Sequence, residues 1–372
     1  MKPVSWLVLA THVPAGGALG GVVRYTTELV AALARREDVD LELLTTAAAA
    51  PALRDATGGA ARVRVLRVAP GPVLPLVERY ARTAQPHPQV VHGVKHLVPR
   101  SGGALKVLTV HDMVLLDRPQ DFGLAKRHLL PPPYRASIRQ ADLLLPVSVA
   151  TDRRLAAHEP GAAQRSTVVP LATTASLLQA PAAPVPSLAG RRFALVVGDS
   201  GRRKNLGTVV DAWPTVRRRV PDAVLAIAGP PDWGRAELGR AYAELVREGA
   251  VVPLGRIDDA QLRWAYEHSA VVLCPSLAEG FGLPAAEALD LGASVVVSDD
   301  AALQEVAAGR ARAVVPALDA AGWAAEIVTV LLSPHRAAVP DGHVRTWDDV
   351  AADTTSAVLR CLAERGRSGR AR

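Results

Sequence analysis

The sequence predicts an α/β protein built on two parallel sheets. Three observations carry this reading. Short apolar runs bounded by turn residues alternate with longer helical patterns from one end of the chain to the other. The runs fall into two sets of six. And 372 residues, 49% of them hydrophobic, leave room for two buried cores at roughly 150 residues per domain. The first set reads 4–10, 41–45, 63–68, 90–92, 107–110 and 143–147, with a helix over 22–35 after its first member. The second reads 193–197, 224–228, 251–254, 271–274, 294–297 and 313–315. Between them, 175–190 is rich in Ala and Pro without a sustained period and reads as a linker. Doubly wound sheets bind ligands at the carboxyl ends of their strands, so chemistry is sought just after the apolar runs.

Composition removes several classes. No apolar run approaches the roughly 18 to 20 residues of a membrane span. The opening segment lacks the shape of a signal peptide, because His12, Pro14 and a Gly-rich loop interrupt it. Cys274 and Cys361 have no Cys or His partner at metal spacing, which predicts a reduced, cytoplasmic protein without structural zinc. A net charge of +7 raises the question of nucleic acid, but only 4% of residues are aromatic, leaving few platforms on which bases stack. A bound phosphate, a diphosphate or an anionic membrane surface accounts for the basicity at least as well.

Four constellations follow strands. The most informative spans 274–292, where a buried run ends at Pro275 and a loop carries Glu279, Gly280, Phe281 and Gly282. Leu283 and Pro284 then open a short helix that holds Glu287 and ends near Gly292. The glycines allow close approach to bare N–H groups, and the two carboxylates suit pairs of vicinal hydroxyls, one on a sugar and one on a ribose. The second, Gly198 to Leu206, places Arg202, Arg203 and Lys204 between a strand and a helix, an arrangement suited to a diphosphate. The third is the loop containing Gly16, Gly17, Gly20 and Gly21. It does not match Gly-x-Gly-x-x-Gly, and a flexible loop explains it about as well. In the fourth, an apolar strand ends at His111 and Asp112, where an imidazole donates a hydrogen bond or shifts protons, or serves structure alone.

Taken together, the 275–287 block, the Arg203-Lys204-Asn205 loop, Gly20-Gly21-Val-Val-Arg24-Tyr25 and Thr109-Val-His111-Asp112 resemble glycosyltransferase family 4. This is a family of retaining, nucleotide-sugar-dependent enzymes with the GT-B fold, two facing Rossmann-like domains around a cleft. The resemblance runs over nearly the whole chain. It implies an acceptor-side domain over 1–178, a donor-binding domain over 190–349 and a C-terminal helix near 350–365 that returns to the first domain; the tail over 366–372, basic and containing Gly and Ser, reads from its composition as disordered. The resemblance implies that Glu279 holds the donor sugar, that Gly280, Phe281, Gly282 and Leu283 contact sugar and diphosphate through the backbone, and that Glu287 binds ribose. Arg203 and Lys204 match the pair on the diphosphate, with Gly198 in the same loop. Gly20 and Gly21 match the loop that closes over it, and His111 matches a residue touching the sugar. The expected activity is transfer of a hexose, with mannose from GDP-mannose ahead of a UDP-sugar, to a hydroxyl acceptor on a glycan, lipid or small molecule. No metal or other cofactor is expected. A sugar-nucleotide epimerase and a silent sugar-nucleotide-binding subunit are the rival readings. Asp199 departs from the family pattern, as does the 304–310 segment. The basic stretch 126–139 is a further expectation, as a peripheral contact with anionic membrane beside a solvated-helix reading.

Overall fold

The computed structural model describes residues 2–15, 20–66, 79, 88–100, 102–230, 235–337 and 344–370. Gly16 and Gly17 of the glycine-rich loop lie outside them, as do 67 and 68 of the third predicted strand. The chain divides into two units, Met1–Leu171 with Arg345–Arg372, and Ala172–Val344.

Each unit holds one six-stranded parallel sheet. The first contains β1 (Val4–Leu9), β2 (Val39–Thr46), β3 (Arg62–Leu66), β4 (Val90–Gly93), β5 (Leu105–Val110) and β6 (Leu143–Pro146), in the order β3-β2-β1-β4-β5-β6. The second contains β7 (Phe193–Val197), β8 (Val224–Ala228), β9 (Val251–Gly255), β10 (Val271–Cys274), β11 (Val295–Ser298) and β12 (Ala313–Val315), in the order β12-β11-β10-β7-β8-β9. Viewed from its other edge, the second sheet repeats the first strand for strand. Both are doubly wound, with the order reversing between the first and fourth strands of the unit, and that point is where such sheets bind ligands.

Continuous apolar strands are needed because helices cover both faces. In β7, Ala194 and Val196 join Trp213, Val216 and Trp323 on one side, while Phe193 and Leu195 join Tyr266 and Leu289 on the other. This is the two-residue side-chain period serving two cores at once. In the first unit the helix Gly21–Ala34 buries Tyr25, Leu29, Val30 and Leu33. The helix Trp347–Arg370 belongs to the same unit, where Val350, Ala351 and Val358 are buried and Asp348 accepts a hydrogen bond from Arg35 at 2.6 Å.

Two sequence expectations need correction. The 175–190 stretch is no bare linker. It contains a short helix, Ala175–Gln179, and a turn at Pro186–Leu188, and its Leu177, Val185 and Leu188 are buried in the second unit's core. Three anchors too irregularly spaced to show a period account for the misreading, and the first unit stops at Leu171 instead of 178. The tail is also more ordered than expected, since the last helix continues through 366 to Arg370. Propagation from packed turns costs far less than nucleation, and Arg and Glu are good helix formers. No helix among the described residues is long and apolar enough to cross a membrane.

Candidate active site

Two loops leave the second sheet at its reversal point, after the paired strands β7 and β10. The first passes through a tight turn, Arg202–Lys204, that ends at Asn205 in the left-handed region with φ 54° and ψ 32°. Asn205 Nδ2 donates to Pro275 O at 3.0 Å and Ala317 O at 2.6 Å, and its Oδ1 accepts from Thr208 Oγ1 at 2.8 Å. One side chain thereby ties the loop after β7 to the loop after β10 and to the segment after β12. Asp199, the departure from the family pattern, acts locally, because its Oδ1 accepts from Gly201 N at 2.9 Å and closes the turn. Gly198 packs so closely on Gly229 that a Cβ at Gly229 would stand 1.9 Å from Gly198 O. No side chain fits there.

The two cations of this loop converge on Glu279. Arg203 Nη1 donates to Glu279 Oε2 at 2.7 Å and to Ala278 O at 3.0 Å, and Lys204 Nζ donates to Glu279 Oε1 at 2.6 Å. Ser276 Oγ adds a third bond, to Oε1 at 2.6 Å. Burial alone pushes the Glu279 carboxyl upward, but Lys204, Arg203 and the hydrogen bonds from Lys204 and Ser276 outweigh it and bring the pKa down to about 2. The neighbouring Cys274 thiol is pushed up to about 12 by burial, which keeps it protonated and inert. Gly282, at φ 100°, turns the chain into the helix Leu283–Asp290, and a Cβ there would meet Leu303 Cδ2 at 2.6 Å. The first N–H groups of that helix receive no side-chain cap. Glu287 lies inside it, 2% exposed, and accepts from Tyr266 OH at 2.9 Å. A small pocket opens here, lined by Asp199, Lys204, Ser276, Glu279, Gly282 and Leu303 among others.

The matching corner of the first unit carries imidazoles. His12 follows β1, His92 lies in β4, His96 comes just after it and His111 follows β5. Burial lowers the pKa of all four, to about 3 for His12 and His92, so they are neutral at pH 7. The His111 Nε2–H donates to Val94 O at 2.9 Å. Gly20 caps the helix Gly21–Ala34 with φ 89°, and Gly21 is its first residue.

The structure therefore gathers Gly198, Arg203, Lys204, Glu279 and Gly282 around one corner of the second unit. Gly280, Phe281 and Leu283 occupy the same loop and helix start, and Glu287 sits one turn behind. Gly20, Gly21 and His111 belong to the first unit. Sequence reasoning missed Ser276, Tyr266 and the bridging role of Asn205. For Asn205 a signal exists, since Asn between a basic turn and a helix is a residue suited to left-handed backbone.

Comparison with known proteins decides the family. Residues 20–172 match the model of the glycosyl transferase 4-like domain and residues 191–333 that of the glycosyl transferases group 1. The chain belongs to glycosyltransferase family 4. This family member is 28% identical over 210 residues to the O-antigen chain mannosyltransferase B of Escherichia coli, covering 54% of each chain. It is 35% identical over 131 residues to a phosphatidyl-myo-inositol mannosyltransferase of Mycolicibacterium smegmatis, covering 35% of this chain and 33% of the relative. The matched stretch thus spans about half the length of the first relative and a third of the second. Among solved structures, a sucrose-phosphate synthase from Thermosynechococcus elongatus superposes with a TM-score of 0.68 at 20% identity, over 100% of this chain and 98% of that one. The fold of this family member is accordingly GT-B.

Proposed function

We propose that the chain is a retaining glycosyltransferase that moves a hexose, mannose from GDP-mannose first among the candidates, from a nucleoside-diphosphate donor to a hydroxyl acceptor. The observation that carries the proposal is the Arg203–Glu279–Lys204 cluster at the sheet's reversal point. Lys204 and Glu279 line the pocket beside the Gly282 turn, and Arg203 joins them through Glu279, a cluster suited to the negative charge that develops on a departing diphosphate. A diphosphate entering the pocket competes with Glu279 for Arg203 and Lys204, and the displaced carboxylate becomes an acceptor for sugar hydroxyls. Glu287, one turn deeper and oriented by Tyr266, takes the ribose. The names of the two mannosyltransferase relatives support mannose as the sugar.

Retention follows from what the carboxylates are doing. With the diphosphate on Arg203 and Lys204, the Glu279 carboxylate is taken up by hydroxyls of the donor sugar and Glu287 by the ribose, so neither is placed to deprotonate the acceptor. The proton of the incoming hydroxyl therefore goes to a phosphate oxygen as the C1–O bond to the diphosphate breaks, and the new C1–O bond forms on the same face. Arg203 and Lys204 supply the positive charge, so the reaction needs no divalent metal. An α-linked donor should give an α-linked product in the presence of a chelator, read by proton NMR of the anomeric signal early in the reaction. A β-linked product, or activity abolished by chelator and restored by magnesium or manganese, overturns this mechanism. Incubation with each sugar nucleotide alone tests the class itself: epimerised sugar marks an epimerase, and a donor that binds and never reacts with any acceptor marks a silent subunit. A lipid-linked acceptor is supported by the helix Leu124–Leu129, which exposes Leu124 at 74% and Leu129 at 67% around Lys126, Arg127 and His128. Flotation with anionic liposomes at low salt is the measurement, and no binding there ends that part of the proposal.

A further inference from the structure

His111 is held by more than its own hydrogen bond. A carbonyl only accepts, so the 2.9 Å contact with Val94 O places the ring hydrogen on Nε2 and makes Nδ1 the acceptor. That bond fixes the tautomer but leaves the ring free to swing about it. Tyr25 closes this freedom, standing edge-on to the imidazole at 85° with centroids 4.6 Å apart. Tyr25 is fixed in turn at both ends. Its hydroxyl shares a 2.8 Å hydrogen bond with Thr109 Oγ1, which shares another of 2.8 Å with His92 Nε2. Its ring meets Trp347 at 70° and 5.7 Å. Tyr25, Thr109, His92 and Trp347 are all buried. The buried indole N–H of Trp347 has no hydrogen-bond partner among the described residues, so what this residue contributes is the ring itself. Trp347 opens the helix Trp347–Arg370, just after the chain re-enters the first unit at Arg345.

We infer that Tyr25 and Trp347 are positioning residues for His111, holding its imidazole so that Nδ1 accepts a hydrogen bond from a hydroxyl of the bound sugar. Thr109 and His92 serve the same end by pinning the Tyr25 hydroxyl. The inference rests on the glycosyl-transfer reading for its kinetic consequence, and on geometry alone for the state of the ring.

The test uses the full chain with 15N-labelled histidine, the His111 signals being identified by their loss in His111→Asn. Wild-type His111 should show the Nε2–H form. Trp347→Leu keeps bulk and removes the aromatic face; it should leave the Nε2–H form in place, since Val94 O still holds it, and shift and broaden the His111 ring signals as the imidazole swings about that bond. It should also lower kcat about tenfold, in line with the steep cost of misplacing a reacting group, while KM for the nucleotide sugar moves less than about threefold. Trp347→Phe should retain at least about half of wild-type kcat. Tyr25→Phe, which keeps the ring and loses the Thr109 bond, should fall between them. If Trp347→Leu fails to fold, Tyr25→Phe against Trp347→Phe carries the same comparison. Unchanged His111 signals and kcat in a folded Trp347→Leu or Tyr25→Phe variant overturn the inference. So does a loss in Trp347→Phe equal to that in Trp347→Leu. Should the ring respond as expected while wild-type protein transfers no sugar from any donor, the glycosyl-transfer reading fails and the positioning stands.

Discussion

At the carboxyl ends of β7 and β10 a carboxylate is gripped by two cations, whereas the matching corner of the other sheet, beside β1, β4 and β5, holds neutral imidazoles and hydroxyls. The strand order is the same in both. The difference lies in the loops. After β7 and β10 the chain supplies Arg203, Lys204 and Glu279, whose charges compensate one another and make their joint burial tolerable. After β1, β4 and β5 it supplies His12, His96 and His111, which escape the cost of buried charge by staying unprotonated. One architecture thus carries a corner suited to a dianion and another suited to hydroxyls, and the topology dictates where each lies without dictating which it is.

The comparison is broken most forcefully at Lys204. Lys204→Ala should remove about 2 to 4 kcal/mol of transition-state stabilisation, seen as a fall in turnover with the fold intact by circular dichroism. Wild-type turnover in that variant would mean that the charged corner does not act on the diphosphate. Glu279→Gln acts on stability. It leaves Arg203 and Lys204 without their counter-charge, at a cost of about 3 kcal/mol, the low end for a buried pair because both cations keep some contact with solvent. Nucleoside diphosphate should raise the melting temperature of this variant by more than it raises that of wild type, because no carboxylate competes for the cations. An equal rise in both would show that Glu279 and the diphosphate occupy separate partners.

Acid should separate the two units. The folded pKa of His92 lies near 3 against an ordinary 6.5. Below pH 6.5 the unfolded chain takes up a proton that the folded chain refuses, and stability is lost as pH falls from about 6.5 towards 3. The slope is up to about 1.4 kcal/mol per pH unit for each such histidine. The depressed Glu279 carboxyl works over a lower window. Its contribution is present above its ordinary 4.5 and is lost only as pH falls from there towards 2. Hydrogen exchange should show peptides of the first unit losing protection near pH 5.5 while those of the second hold. The reverse order would contradict the assignment of neutral histidines. At the small end, Arg62→Ala removes an exposed ion pair with Asp40 across β3 and β2 and should cost under about 1 kcal/mol in a denaturant melt. A larger loss would show that edge electrostatics matter as much as the buried cluster.

How much of this the residues announce depends on how local the cause is. The runs at β7, β8 and β10 coincide with the predicted ones residue for residue, because a strand buried on both faces must be apolar throughout and turn residues bound it; β12 coincides as well, although at the sheet edge its Val314 is half exposed. Both cations and Glu279 are legible for a similar reason: they sit in loops directly after strands, where a doubly wound sheet exposes its chemistry. The mutual neutralisation of Glu279 and its cations is not legible, since it joins residues 75 and 76 positions apart. Tyr266 is likewise hidden. Nothing in the helix Asp259–His268 announces that its hydroxyl reaches Glu287. The segment 175–190 misleads because burial there rests on three anchors without a period.

The placement of the helix Trp347–Arg370 has a consequence for the birth of the molecule. The apolar side of the helix Gly21–Ala34 emerges from the ribosome early, and the partner that covers Tyr25 emerges only after all of Ala172–Val344 has been made. At about 5 to 20 residues per second, that delay is of the order of 10 s or more, ample for the intervening unit to collapse on itself. The half that begins first is thus completed last. During that interval a nascent chain displays a Tyr25 surface awaiting its cover, and a chaperone that waits for apolar helix faces has its longest opportunity there.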